Sequence, residues 1–453
     1  MTVEGLTINS LKKKDLLTLG FMMFSIYFGA GNLIFPPALG QAAGDHTLHA
    51  MLGFMTTGIG LPLLGITAIA LAGGEYVPLL HAKTWPRFAT VLLVILYLII
   101  GPLFAMPRTG AVSFEIGIRP FLSADNLALG QIIYTAIFFA SSYYLALNPN
   151  KIIDRVGRML TPALLIVLLI LFVQAFHAPL GAILPATGAY IDAPFAQGFQ
   201  DGYQTMDLLA SIAIGALVAN AVRMRGITDS RAVGAACLVS GLITVMLMAA
   251  VYGSLAYIGA TSTSVLGQAE NGGQILSAAV GIFFGSAGNL LLAVIIGLAC
   301  LTTCCGITSS AAMFFNKLLK GRVSYERLLL FSIMFSFAAS NVGLTQIIAL
   351  AIPFLVTIYP LIIVFVILSL FDRFIGWRKS IYQGAMALTL VFSLIDGLHA
   401  AGLSSEPVHA LLVAYIPFYN IMMGWVCPAV IGALVGLAVS FFQTAPAAKE
   451  SQV

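Results

Sequence analysis

Apolar stretches of about 20 residues or more recur along the whole chain, near positions 15–42, 47–72, 88–115, 128–147, 158–176, 196–222, 230–258, 287–317, 325–341, 344–370, 380–398 and 408–442. Each is long enough to cross the hydrocarbon core of a bilayer as a helix. In that medium a spanning backbone must satisfy its own polar groups, which leaves helices or closed barrels. The expectation is an all-α polytopic membrane protein with twelve transmembrane helices. Composition agrees: 60% of the residues are hydrophobic and 8% charged, with a mean hydropathy of +1.01. Ordinary soluble domains carry about 25% charged residues.

The basic residues test the count. With the N-terminus inside, Lys12–Lys14, Lys83, Arg87, Lys151, Arg155, Arg158, Arg223, Arg225 and Arg231 fall on the cytoplasmic side. So do Lys317, Lys320, Arg322, Arg327, Arg373, Arg378, Lys379 and Lys449. Of the 21 Lys and Arg, Arg119 is left outside and Arg108 within a segment. This asymmetry obeys the positive-inside rule and places both termini in the cytoplasm. The apolar run after Lys12–Lys14 exceeds the 7–15 residues of a signal core and lacks a cleavage pattern, so it reads as a span and not a removable leader. The net charge of +4 lies in loops and does not point to nucleic acid.

Metal and redox chemistry find little support. Cys237, Cys300, Cys304, Cys305 and Cys427 sit in apolar stretches without the spacing of a zinc site. They read as buried thiols. The six histidines lie in loops or at segment ends.

The first segment contains Phe28-Gly29-Ala30-Gly31-Asn32-Leu33-Ile34-Phe35-Pro36-Pro37. Two glycines, an asparagine and a proline pair are poor helix formers, so a break is expected here. Broken membrane helices persist where they are buried in protein or line a cavity, and transporters place substrate and ion at such breaks. Segment six offers a partner in Gly198-Phe199-Gln200-Asp201-Gly202-Tyr203-Gln204-Thr205-Met206-Asp207-Leu208-Leu209. Segment one rises from the cytoplasm and segment six descends from outside, as inverted repeats require. The alternative is that Gly198 and Gly202 merely admit close helix packing. Of the longer external connections, about 177–195 and 259–286, the second holds Gly272–Val280, expected as a short helix over the outer mouth or as a surface packing helix.

FGAGNLIFPP, GPLFAMPRTGAVSFE (101–115), GYQTMDLLA (202–210) and LACLTT (298–303) appear in order along the chain. Together they resemble the BrnQ-type branched-chain amino acid:cation symporter family of the amino acid–polyamine–organocation superfamily. The resemblance implies sodium-coupled uptake of leucine, isoleucine and valine across the bacterial inner membrane. It also implies two inverted five-helix repeats, about 15–176 and 196–370, with helices 1 and 6 broken. Two peripheral helices would follow at about 380–442, the whole forming one transmembrane domain. No enzymatic activity and no obligatory protein partner are implied.

The candidate substrate site follows from the breaks. A half-helix starting near Asn32 presents N–H groups to a carboxylate, those of Ala30, Gly31 and Asn32 being best placed. Glycines at 29 and 31 permit close approach. Carbonyls freed at Ser25, Ile26 and Phe28, and around Gln204 and Thr205, would accept from the ammonium. Phe28, Ile34, Phe35, Met206 and Leu209 are either an aliphatic wall or ordinary core. On segment eight, Ala299, Thr302 and Thr303 show the A-x-x-[ST]-[ST] spacing that similar sodium symporters set opposite the first break. With Ser25 and Phe28 they form the sodium set implied by the resemblance; read from residue type, each threonine instead bonds its own helix. Asn32 either holds a second sodium or caps the half-helix.

Arg108 and Asp207 are charges at depth, where insertion costs about 2.5–3.5 kcal/mol or more. They would form a gate or a brace between segments three and six. Glu115 and Glu75 are expected to be interfacial. The rival functions are a proton-coupled transporter and a carrier of another small solute on the same architecture. Segments one and eight offer no Asp, Glu or His at their centres, which leaves Asp207 as the candidate proton carrier.

Overall fold

The computed structural model describes residues 12–74, 76–147, 152–227, 229–376, 378–403 and 406–442. Glu75, Lys151 and Lys449 lie outside them, as do the side chains of Arg155, Arg158 and Arg373. All regular structure among the described residues is helical. In chain order the helices are α1 (Lys13–Tyr27), α2 (Ala30–Ala43), α3 (Thr47–Met55), α4 (Leu61–Leu71), α5 (Tyr76–Lys83), α6 (Pro86–Leu98) and α7 (Ala105–Gly117). Then come α8 (Leu127–Ala146), α9 (Ile152–His177), α10 (Pro194–Asp201), α11 (Asp207–Arg223), α12 (Ser230–Leu266) and α13 (Gly272–Leu318). The chain ends with α14 (Tyr325–Ser340), α15 (Leu344–Leu370), the single turn α16 (Asp372–Ile375), α17 (Lys379–Ala400), α18 (Glu406–Tyr415) and α19 (Val426–Phe442).

Every apolar segment of the sequence falls on a helix or on a broken helix. Seven continuous helical stretches, the first running from Ala30 to Leu71 through α2, α3 and α4, are long and apolar enough to cross a membrane, and eight with the bent pair α10–α11. The remaining crossings in the sequence count of twelve rest on shorter or interrupted helices. The last segment is interrupted: α18 and α19 are separated by a short 3₁₀ turn at Tyr419–Ile421.

Both expected breaks are present. α1 stops at Tyr27, Phe28 and Gly29 are extended, and α2 restarts at Ala30. The start is thus two residues earlier than Asn32. Pro36 and Pro37 lie inside α2 and do not interrupt it. Their missing N–H groups leave the carbonyls of Asn32 and Leu33 without the usual helical donor. In segment six, α10 tightens into a 3₁₀ turn at Gly202–Thr205 and Met206 adopts a left-handed conformation (φ 62°) before α11 begins. The two pieces meet at 48°.

A third break was not expected. Between α6 and α7, Gly101 takes φ −95° and ψ −125° and Phe104 has φ −133°. The Gly101-Pro102 dipeptide is its sequence signal, since glycine permits the turn and proline withholds an N–H. The break turns α7 so that Arg108 points into the bundle.

Small residues set the helix spacing. A methyl group on Gly40 would overlap the Ala256 carbonyl, one on Gly259 the Pro37 carbonyl, and one on Gly198 the Ala50 carbonyl. Without a hydrophobic drive between helices in lipid, such close backbone contact supplies dispersion energy. Gly198 and Gly202 therefore do pack α10 against α3 and the turn beyond it, as the packing alternative held, while the break itself forms four residues past Gly202. The expected outer helix forms as the first part of α13, up to a kink at Gly285 (φ 64°). Asn271 caps it by accepting from the N–H groups of Gly273 and Gln274. Gly272 sits against the carbonyl of Ile34, so this helix lies on α2.

Candidate functional site

The two breaks meet through Asn32, on the first turn of α2. Its side-chain amide donates to the Tyr27 carbonyl at 3.1 Å and to Asp207 Oδ2 at 2.9 Å. One residue thereby closes the end of α1 and holds the start of α11. Asn32 is 1% exposed and Asp207 5% exposed, so neither bond competes with bulk water. The hydroxyl of Tyr252, on α12, lies 3.5 Å from the same carboxylate oxygen. The backbone N–H of Asp207 is capped by the Thr205 hydroxyl at 3.3 Å.

Arg108 and Asp207 do not form an ion pair: among the described residues the ion pairs are Lys83–Asp372 and Arg119–Glu115. Arg108 instead donates through Nη1 to the Gln204 carbonyl at 2.5 Å and through Nη2 to the Thr205 carbonyl at 3.4 Å. Those carbonyls, expected to receive an ammonium, are occupied by the guanidinium. A methyl group on Gly31 would lie 2.8 Å from Arg108 Nη2. Glycine is what lets the cation lie beside the first break. Phe35 supplies its ring at 5.1 Å as a cation–π floor.

α2 opens without a side-chain cap, and no hydrogen bond joins the N–H groups of Ala30 and Gly31 to a described residue. The N–H of Asn32 donates to the Gly29 carbonyl at 3.2 Å, so it is not free as expected. Two open donors at a positive helix end beside a guanidinium form a carboxylate-seeking surface. Phe28, Ile34, Phe35, Met206 and Leu209 are all buried around the breaks. Leu209 packs in the core, and Phe28 stacks on Phe24 at 5.1 Å.

α13 brings Thr303 against Gly29, where a side chain would meet Thr303 Cγ2 at 3.5 Å and Oγ1 at 3.8 Å. Thr302 differs. Its hydroxyl donates to the Ala299 carbonyl at 2.9 Å, the self-bonding alternative for that residue. Ser25 is half-buried on the last turn of α1. The cysteines are reduced, with Cys237, Cys300, Cys304 and Cys305 buried and Cys427 half-buried. Among the described residues no His, Cys, Asp or Glu cluster suits a metal ion.

Glu115 is not a free interfacial acid: it is 5% exposed. One of its oxygens accepts from Arg119 at 2.7 Å, Asn271 at 3.2 Å and Gln274 at 2.8 Å. It thereby fastens the outer helix of α13 to α7. Sequence reasoning missed Tyr252, which carries no local signal because a tyrosine in an apolar helix looks like core.

A multi-helix membrane bundle in which two broken helices meet at a buried polar centre is the architecture of a secondary transporter. The chain is not an enzyme. The family model of branched-chain amino acid transport proteins matches residues 12–443, and the chain belongs to that family. It is similar to the branched-chain amino acid permease BraB of Bacillus subtilis, 46% identical over 434 residues that cover 96% of this chain and 97% of that one. The branched-chain amino acid transport system 2 carrier protein of Pseudomonas aeruginosa is 44% identical over 427 residues, covering 94% and 96%. The permease BrnQ of Escherichia coli K12 is 38% identical over 433 residues, covering 95% and 96%. Among solved structures the fold matches Mhp1, a nucleobase-cation-symport-1 family transporter in a closed conformation, with a TM-score of 0.58 at 14% identity, over 94% of this chain and 92% of that one.

Proposed function

We propose that this protein is a sodium-coupled symporter that carries leucine, isoleucine and valine into the cell by alternating access. It would sit in the bacterial inner membrane with both termini cytoplasmic, the repeats 15–176 and 196–370 moving about the site. The substrate class rests on the family and on what its relatives are named for. The observation that carries the mechanism is the junction made by Asn32, which ties both broken helices to one buried point.

In this reading the substrate carboxylate takes the open N–H groups of Ala30 and Gly31. Arg108 stands beside them, already fixed on the carbonyl end of the second break. The carbonyls of Ile26 and Phe28, which accept no backbone N–H from a described residue, are offered to the ammonium. Sodium takes Thr303 with carbonyls at the end of α1, Phe28 included; Ser25, Ala299 and Thr302 complete the set after Thr302 rotates off its own helix. A hard cation is served by five neutral oxygens without a carboxylate.

Asp207 favours a second reading, proton coupling, because it is a buried carboxyl at the junction itself. The two readings part in one experiment. Uptake of labelled isoleucine into proteoliposomes is measured under an imposed sodium gradient, then with potassium replacing sodium, then under a pH gradient alone. Sodium coupling predicts uptake in the first condition only. Uptake that persists in potassium and follows the pH gradient removes sodium and leaves the proton.

A further inference from the structure

At the end of the bundle where α15 gives way to α17, the chain leaves an open groove of about 510 Å³. Leu368, Phe371, Ile375, Ile381 and Leu437 line it, and Arg378 stands at its edge. The floor is apolar and half-open, and the rim is cationic.

Arg378 is oriented but not neutralised. Its Nη1 donates to Ser440 Oγ at 3.0 Å, and its guanidinium lies 4.8 Å from the Phe441 ring centroid. Among the described residues no carboxylate lies within 4.0 Å of it. The neighbouring acid, Asp372, faces the other way. Lys83 Nζ sits 2.7 Å from its Oδ1 and the Tyr382 hydroxyl donates to the same oxygen at 2.9 Å. Lys379 follows Arg378 and is exposed. The groove therefore carries net positive charge, with guanidinium donors held in place and unspent.

The aromatic residues locate this rim relative to the bilayer. Phe374 is 83% exposed and Phe371 54% exposed on the single turn α16. Apolar rings on a short turn between two apolar helices fit the boundary between acyl chains and headgroups. In the positive-inside assignment Arg378 and Lys379 fall on the cytoplasmic side, which faces anionic lipid.

We propose that the groove is a binding site for an anionic phospholipid. Its phosphate takes the free donors of Arg378, and its acyl chains lie along Leu368, Ile381 and Leu437. An anionic headgroup suits this rim better than a zwitterionic one: both carry a phosphate for the guanidinium fork, but the choline of the latter brings a cation to a cationic rim. The site is about as large as a typical small-molecule pocket. The inference rests on the membrane reading of the fold but not on the substrate or the coupling ion.

The test is lipid retention by the purified full chain, read by native mass spectrometry without substrate or sodium. Mixed micelles contain phosphatidylglycerol and phosphatidylcholine of matched chains. One unit of headgroup charge at the cationic rim corresponds to about tenfold preference for phosphatidylglycerol in the wild type. Arg378→Gln is expected to abolish that preference. Arg231→Gln, an exposed basic residue of α12 away from the groove, should keep it. Leu437→Trp, which fills the floor, should lower retention of both lipids. Equal loss in Arg231→Gln and Arg378→Gln would reduce the effect to diffuse charge and overturn the site. So would full retention in Arg378→Gln, or displacement of the lipid by millimolar glycerol 1-phosphate. Elution volume and thermal midpoint establish that each variant is folded.

Discussion

Replacing Asn32 by alanine should uncouple the two broken helices. The substitution removes the donor that reaches the Tyr27 carbonyl at 3.1 Å and Asp207 Oδ2 at 2.9 Å. A neutral hydrogen bond contributes about 1 kcal/mol and one to a charged group about 1.5–3 kcal/mol. Tyr252, at 3.5 Å, is too distant to replace the lost donor well. Together the losses come to about 3 kcal/mol, or roughly two orders of magnitude in the population of this arrangement. Initial isoleucine uptake at low substrate, compared with the wild type, reads that loss. The specific claim is the coupling with Asp207, and a double-mutant cycle with Asp207→Ala isolates it. Both single variants should be severely impaired, and the double variant little worse than either, with a coupling energy of at least about 1.5 kcal/mol. Additivity within about 0.5 kcal/mol would show that the bond does not join the helices during transport.

Arg108→Lys keeps the charge but loses the fork that spans the carbonyls of Gln204 and Thr205, so uptake should fall about tenfold, and Arg108→Gln should fall further. The sodium concentration giving half-maximal uptake should rise about tenfold in Thr303→Ala, whose side chain faces Gly29, and clearly less in Thr302→Ala, whose hydroxyl is spent on Ala299. Equal shifts in the two variants would refute that ranking. Gly202→Ala puts a methyl group onto Thr57 Oγ1 and should cost about 1–3 kcal/mol, seen as a lower thermal midpoint in detergent. Gly253→Ala, with open space around it, serves as the unaffected control.

Much of this fold is written in residues whose meaning is local. Apolar length gives the spans because the bilayer enforces it. Phe28–Asn32 and Gly202–Met206 announce their breaks because glycine, asparagine and threonine serve a helix interior badly. The third break, at Gly101–Phe104, had the same kind of signal in Gly101-Pro102 but lay in a segment long enough to pass as one helix. Pro36 and Pro37 misled in the opposite sense. Placed beyond the first turn of α2, they cost it donors without ending it, so the restart falls at Ala30. What no local pattern carries is partnership. Nothing in the sequence around Arg108 says that it meets carbonyls and not Asp207, nor that Tyr252 approaches that carboxylate, since these depend on how α7, α11 and α12 cross.

The partnership that does form has an electrostatic logic that a direct pair would lack. The first half of segment six ends at Gln204 and Thr205, where unsatisfied carbonyls make a negative pole. The second half begins at Asp207, where N–H groups without a partner inside the helix make a positive one. Arg108 lies on the negative pole and Asp207 at the positive one, so each charge is stabilised by the backbone end that the break itself exposes. Neither needs the other, and in the proposed reading both stay within reach of a zwitterion that would bring its own opposite charges. A direct Arg108–Asp207 pair would have offset the burial cost of both ions but, in the proposed reading, closed the site to an amino acid. Asn32 leaves the charges apart and still joins the helices, because a neutral amide bridges the Tyr27 carbonyl and the Asp207 carboxylate without adding a charge. An aspartate at position 32 would face Asp207 across 2.9 Å as a like charge, and an alanine would leave the junction open. Asparagine meets both demands at this point of the chain.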